Sequence, residues 1–314
     1  MNMNKICMFA AIPLLGIATA SCGVEEGENT GSWGTKVLQL VIPDDAAQQV
    51  IFQKDHLYQV SINYNTSSLT ILSNDIEAGG AKGDFRTDVI PYVYGYNGVS
   101  ESYFFSSKNG GMLGQSTPIS DISGYMITYR PTWINNGMNT ISSLVMSYDV
   151  PGARVVTMQP EPRFFGPTVT YYPTASGTDE SSTTEDASYG IVFADDMKHA
   201  TVTIYSVRFA PNAPKLESVV LKDLDVTLGQ HGYTISGADI VPLVPEGGTS
   251  GTMVEYRNFP FKSFEFKSAG KYLTEAECKY EVAATIGERQ MLFRATFSGK
   301  SSDYVVFGTD DSND

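Results

Sequence analysis

The chain has 314 residues, of which 42% are hydrophobic and 18% charged, and a formal net charge of −14. The acidity excludes a basic nucleic-acid footprint, and the length suffices for two domains. Three cysteines and three histidines, scattered along the chain, exclude a disulfide framework and a cysteine-based metal site.

Lys5, the apolar run from Ile6 to Ile17 and the short residues Thr19, Ala20 and Ser21 have the order of a cleaved export signal. The run is too short to stay in a bilayer as a helix. Cys22 directly after the short residues makes residues 1–21 resemble a bacterial lipoprotein signal peptide, which implies cleavage before Cys22 and lipid on its thiol. Cys7 leaves with the signal, so Cys278 stands alone and reads as a small buried hydrophobe. Residues 22–34, with Glu25, Glu26 and Glu28 among glycines, cannot bury enough surface to fold and read as a flexible tether. An anionic membrane repels a body this acidic, so attachment rests on lipid.

Residues 35–172 read as a first β domain. Ala46 to Val50 allows one helical turn. Tyr58, Val60, Ile62 and Tyr64 alternate with Gln59, Ser61 and Asn63, the pattern of a half-buried strand. Asn65 to Ser68 is turn chemistry, and Leu69 to Leu72 resumes as the second arm of a hairpin. Val89 to Phe105 is aromatic and β-branched, with a turn near Gly95–Gly98; strands follow at Ser123–Tyr129, Ser142–Tyr148 and Ala153–Met158. Residues 173–188 hold four acidic residues and no large apolar one, and read as a linker or loop. Residues 189–308 read as a second β domain. In Ala200–Phe209 the apolar phase shifts midway, as a bulge would cause. The stretch around Cys278 fits either a capped helix start at Thr274 or an alternating strand, and the strand continues better into its surroundings. Residues 309–314 are an acidic tail.

Short strands, frequent turns and the lack of a sustained helical period make the chain all-β: two tandem antiparallel β domains, sandwich or lipocalin-like barrel, after a lipoprotein signal peptide. The lipoprotein start, the early glutamates after Cys22, and the passages Ala200–Pro211 and Gly232–Pro242 resemble uncharacterised outer-membrane lipoproteins of Bacteroides-type bacteria, some with lipocalin-like or sandwich-like domains. That resemblance implies a lipid-anchored protein on the outer membrane, facing outward, and it brings no activity with it.

Chemistry is sparse. His56, His199 and His231 show no metal-ligand spacing. Gly247–Gly251 places its serine wrongly for a nucleophile elbow, and no phosphate or dinucleotide loop appears. The acidic pairs Asp44–Asp45 and Asp195–Asp196 sit at strand ends, where aspartate serves turns. Neither a cofactor nor a catalytic set is expected. In a strand, Tyr92, Tyr94 and Tyr96 share one face, with Trp133 a candidate neighbour; exposed, the stripe would stack on sugars or a protein, and buried, it would be packing. The expectation is a non-enzymatic binding or scaffolding protein contacting a glycan, a host molecule or an envelope protein. The alternatives are a carrier of an apolar ligand and a fimbria-like subunit with an exchangeable strand.

Overall fold

In a computed structural model, residues 30–301 are described, except 97–99, 130–139, 175–176, 212, 249–250 and 287–288. The signal peptide 1–21, Cys22, Trp133 and the tail 309–314 lie outside the described residues. The first sheet contains β1 (Thr30–Pro43), β2 (Ile51–Asn63), β3 (Ser68–Ala78), β4 (Ala81–Thr87), β5 (Ile90–Tyr96), β6 (Ser100–Leu113), β7 (Thr117–Tyr129), β8 (Thr140–Val150) and β9 (Ala153–Met158). Each pairs antiparallel with its neighbour, and β9 returns to β1 through Leu38 opposite Met158. β4 and β5 together fill one position between β3 and β6, so the closed barrel has eight strands.

Local chemistry explains the strands. Tyr58, Val60 and Ile62 are at most 1% exposed, as their alternation requires. The Asn63 carboxamide oxygen accepts the N–H groups of Asn65 and Thr66 at 3.0 and 3.2 Å, which builds the β2–β3 turn. At the opposite end Gly79, at φ 59, turns β3 into β4. A Cβ there would sit 2.2 Å from the Pro151 carbonyl oxygen of the β8–β9 turn, so no larger residue fits. Ala46 and Ala47 form a backbone turn, held by Gln48 N–H to Asp45 C=O at 2.9 Å, where a helical turn was expected.

The second sheet contains β10 (Arg163–Phe165), β11 (Thr168–Pro173), β12 (Asp179–Thr184), β13 (Ser188–Phe193), β14 (His199–Val207), β15 (Leu216–Gly229), β16 (Gly232–Ile240), β17 (Leu243–Pro245), β18 (Met253–Glu255), β19 (Phe261–Ala269), β20 (Glu275–Ile286) and β21 (Arg289–Ser301). β10 pairs with both β13 and β21 and closes a second eight-stranded barrel. β17 and β18 form a small flap on β15. The phase shift in β14 is real: Ser206 adopts φ 58, and Val207 after it is fully buried. Cys278 lies inward on β20, so strand, not helix, holds there.

Three expectations are corrected. The unit assigned to residues 35–172 ends earlier: β10 and β11 hydrogen-bond to β13 and β21 of the second barrel. The junction is the short passage after Met158, where Pro160 and Pro162 interrupt pairing. Residues 179–184, within the stretch read as a linker or loop, form β12 against β11; backbone pairing needs no apolar side chain, so the acidic Ser/Thr composition concealed it. The tether assigned to residues 22–34 overlaps β1, whose Thr30–Gly34 pair with Asn63–Gln59.

The closing pairings β1–β9 and β10–β21 decide barrel over sandwich, and side chains fill both interiors. In the first, Phe85 packs on Tyr148 at 4.6 Å between centroids, and the Tyr58 hydroxyl donates to Gln39 at 2.5 Å and lies 3.1 Å from the Tyr148 hydroxyl. In the second, Tyr189 packs on Phe297 at 4.1 Å and Phe164 on Phe266 at 5.2 Å. These rings occupy the space an apolar cargo would need. Closure by β9 and by β10 pairs the barrel strands on both edges, and among the described residues β12 and β18 each keep one free edge.

The barrels share a core. Along β1, Val37 and Val41 enter the first barrel's cluster, whereas Leu38, Leu40 and Ile42 join the cluster of the second. Phe52 of β2 and Val156 and Met158 of β9 do the same. Burial on both faces explains the near-continuous apolar run of β1. Beside it, Tyr272 of the second barrel packs against Tyr125 at 6.1 Å, and Lys54 pairs with Asp195 at 2.8 Å.

Candidate functional site

The start of β1, the β2–β3 turn and the β5–β6 hairpin meet at one end of the first barrel. β5 is fixed there by pairing with β6, which sets Tyr94 opposite Tyr103, and by the Tyr92 N–H donating to the Ser67 carbonyl at 3.0 Å. Tyr92 and Tyr94 stand edge-on to the buried Tyr103 ring at 5.2 and 5.5 Å. Tyr64 lies 6.5 Å from Tyr103, and Trp33 lies 6.4 Å from Tyr64. The expected stripe therefore exists, but its base is packing: Tyr92, half-buried, rests on the core, and Tyr94 and Tyr96, 48% and 50% exposed, present more ring surface. Val93 and Val89, 71% and 68% exposed, continue the apolar surface on the other face of the strand.

Glu101 sits beneath the rings and is 7% exposed. It accepts hydrogen bonds from the Tyr103 hydroxyl at 2.8 Å, the Tyr94 hydroxyl at 3.3 Å and the Thr128 hydroxyl at 3.5 Å. Burial, and then the bond to Glu101, push the Tyr103 phenol far above its ordinary range. Burial raises Tyr64 and Tyr92 in the same direction. These phenols stay protonated, and Tyr103 donates to Glu101. A buried acid with donors on it holds the rings in place, as an unsatisfied one could not.

Sequence reasoning named Tyr92, Tyr94 and Tyr96 and missed Trp33, Tyr64, Glu101 and Tyr103. One signal was available. Glu101 shares the parity of Tyr103 and Phe105 on β6, so it is a lone charge on an inward-facing apolar row. The other candidates resolve into structural roles. Asp196 caps its turn through the N–H groups of Lys198 and His199 and contacts the His199 ring at 2.7 Å. Asp195 joins the barrels through Lys54, which holds its carboxyl below the usual range. Among the described residues no three His, Cys, Asp or Glu side chains gather in metal-binding geometry.

Two open grooves of about 380 and 320 Å³ run over the second barrel, sharing Pro167, Glu277 and Ser298. Cys278 lines the first groove while only 1% exposed, and burial raises its thiol pKa well above the ordinary value. A thiol that is neither exposed nor ionised is a poor nucleophile. The folded protein will therefore resist a thiol reagent at neutral pH and react fully in denaturant; rapid labelling of the native chain would contradict the inward placement.

No family model matches the chain, and no curated protein matches it. Solved structures with some likeness include a proposed outer membrane protein of Bacteroides fragilis, 12% identical, covering 86% of this chain and 97% of its own, with a TM-score of 0.31. Transferrin binding protein B of serogroup B Neisseria meningitidis is 8% identical over 87% of this chain and 76% of its own, at 0.25. A double mutant of the same protein from Haemophilus parasuis is 7% identical over 86% and 76%, at 0.27. Overlaps this low assign nothing to the site.

Proposed function

We propose that the chain is a non-enzymatic surface protein, held on the outer membrane by lipid on Cys22, that works by contact and not by catalysis. The observation carrying this reading is the end of the first barrel that bears Trp33, Tyr64, Tyr94 and Tyr96. Among its described residues, Thr30–Thr35, Gln59–Ser68, Val89–Tyr96, Ser100–Phe105 and Ser123–Tyr129, the charged side chain is Glu101, which is buried, and at its edge the Lys271 ammonium of the second barrel donates to Ser123 at 2.7 Å. In a chain of net charge −14, an uncharged, partly aromatic end is a surface suited to association. The filled barrels support it as a rigid base. A glycan, a host molecule and a neighbouring envelope protein are the partner classes read from the sequence.

Cells fed a palmitate analogue test the anchor. The wild-type chain will incorporate it, the Cys22→Ala chain will not, and protease added to intact cells will remove the folded body. Equal labelling of the two chains, or labelling of neither, would replace this reading with a freely secreted protein.

A further inference from the structure

We infer that the aromatic end of the first barrel docks on the lipid surface that carries the anchor, so that the anchored chain stands on this end. The inference rests on the anchored reading and names the partner of the site described above.

The first argument is reach. Cys22 precedes Thr30 by eight residues, which span at most about 28 Å when fully extended. Thr30 opens β1 opposite Asn63, at the start of the turn whose Ser67 carbonyl holds Tyr92. The chain thus leaves the barrel beside the aromatic end. β1 runs for 14 residues to Pro43, about 43 Å at the rise of a strand. A lipid on Cys22 cannot reach the far end of β1 along the barrel, but it lies within a short tether of Tyr94 and Tyr96. Insertion of the acyl chains brings this end to the bilayer.

The second argument is chemistry. Tyrosine and tryptophan favour the boundary between hydrocarbon and water, where the ring is partly buried and the polar atom stays wet. Tyr94 and Tyr96 are about half exposed, and Val89 and Val93 beside them more so. The remaining described residues of this end are mostly Ser, Thr, Asn and Gly, which neither resist headgroups nor insert deeply. Glu25, Glu26 and Glu28 of the tether and the acidic remainder of the body are repelled by an anionic leaflet. The uncharged end is therefore the face that approaches at least cost. Tethering supplies a high local concentration, so a weak contact suffices.

The experiment uses the full-length lipidated protein in vesicles of phosphatidylcholine and phosphatidylethanolamine, with nitroxide lipids as quencher. A single fluorophore is attached at Asn65→Cys in the β2–β3 turn or at Ala46→Cys in the β1–β2 turn. Both positions are exposed, and Cys278 is buried. The label at position 65 will be quenched and blue-shifted, and that at position 46 will not. Tyr94→Ser with Tyr96→Ser will abolish the quenching at 65 while the protein still floats with the vesicles. Should that pair unfold the protein, the contrast between positions 65 and 46 in the parent chain decides alone. Floating protein with equal quenching at both positions overturns the docking and leaves the anchor intact. Protein that does not float overturns the anchor and the docking with it. Retention on a glycan array that the tyrosine pair abolishes, with quenching at 65 unchanged by that pair, assigns the end to a sugar and overturns the lipid contact.

Discussion

Phe52→Ala is expected to destabilise the protein by about 3–5 kcal/mol and to divide one unfolding transition into two. Phe52 belongs to β2 of the first barrel, yet its ring lies 4.8 Å from Phe193 and 6.1 Å from Tyr233, both in the second. It is 8% exposed and joins the same cluster as Leu38, Leu40, Met158 and Phe193. Truncation removes the burial of a ring and opens a cavity where β13 and β16 meet the first barrel. The loss falls on the interface, so the barrels will no longer unfold together. Differential scanning calorimetry of the soluble portion will show it, with Leu57→Ala as a control at a position 59% exposed on the outer face of β2. A single unshifted transition in Phe52→Ala would mean that the shared cluster does not couple the barrels.

The second large effect is alkaline collapse. Burial raises the phenols of Tyr58, Tyr103, Tyr148, Tyr189 and Tyr280 far above the ordinary value, the Tyr58 shift gaining from its neighbour Tyr148 and the Tyr103 shift from Glu101. An unfolded tyrosine ionises near pH 10. Above that pH the unfolded chain gives up protons that the folded chain keeps, so stability falls as pH rises. Below pH 10 the contribution of these groups is fully present. It declines progressively above that, and every tenfold difference in proton affinity is worth about 1.4 kcal/mol per tyrosine. Several tyrosines acting together will unfold the protein before any native phenol ionises, so phenolate absorbance and loss of β circular dichroism will rise in one step. Tyr148→Phe will make the pH dependence shallower. Phenolate appearing in a folded chain well before the dichroism changes would contradict the burial.

Much of the second structure level was legible because the alternation of Tyr58, Val60 and Ile62, the shift near Ser206 and the inward Cys278 are local consequences of pleat and burial. Closure was not. Nothing in Leu38 or Met158 taken singly announces that they pair, so sandwich and barrel looked alike. β12 escaped notice for a different reason: its side chains are exposed or half-buried on a hairpin arm, and only its backbone is engaged. The tyrosine stripe was placed correctly on one face of β5, but whether that face met water depended on Tyr103, nine residues from Tyr94 along the chain and directly opposite it in space. Glu101 was the readable clue to that inward row.

Closure by first and last strands also bears on how the chain is made. β1 is made first and meets its partner β9 only after about 120 further residues have followed, as Leu38 opposite Met158 requires, a separation that makes ring closure slow. Until then its run from Val37 to Ile42 is an apolar strand with β2 on one edge and the other edge open, prone to the wrong partner. The second barrel repeats the arrangement, since Phe164 of β10 waits for Ser301 of β21. A factor that shields the waiting edge of β1 would set the yield of folded protein more strongly than the final stability does.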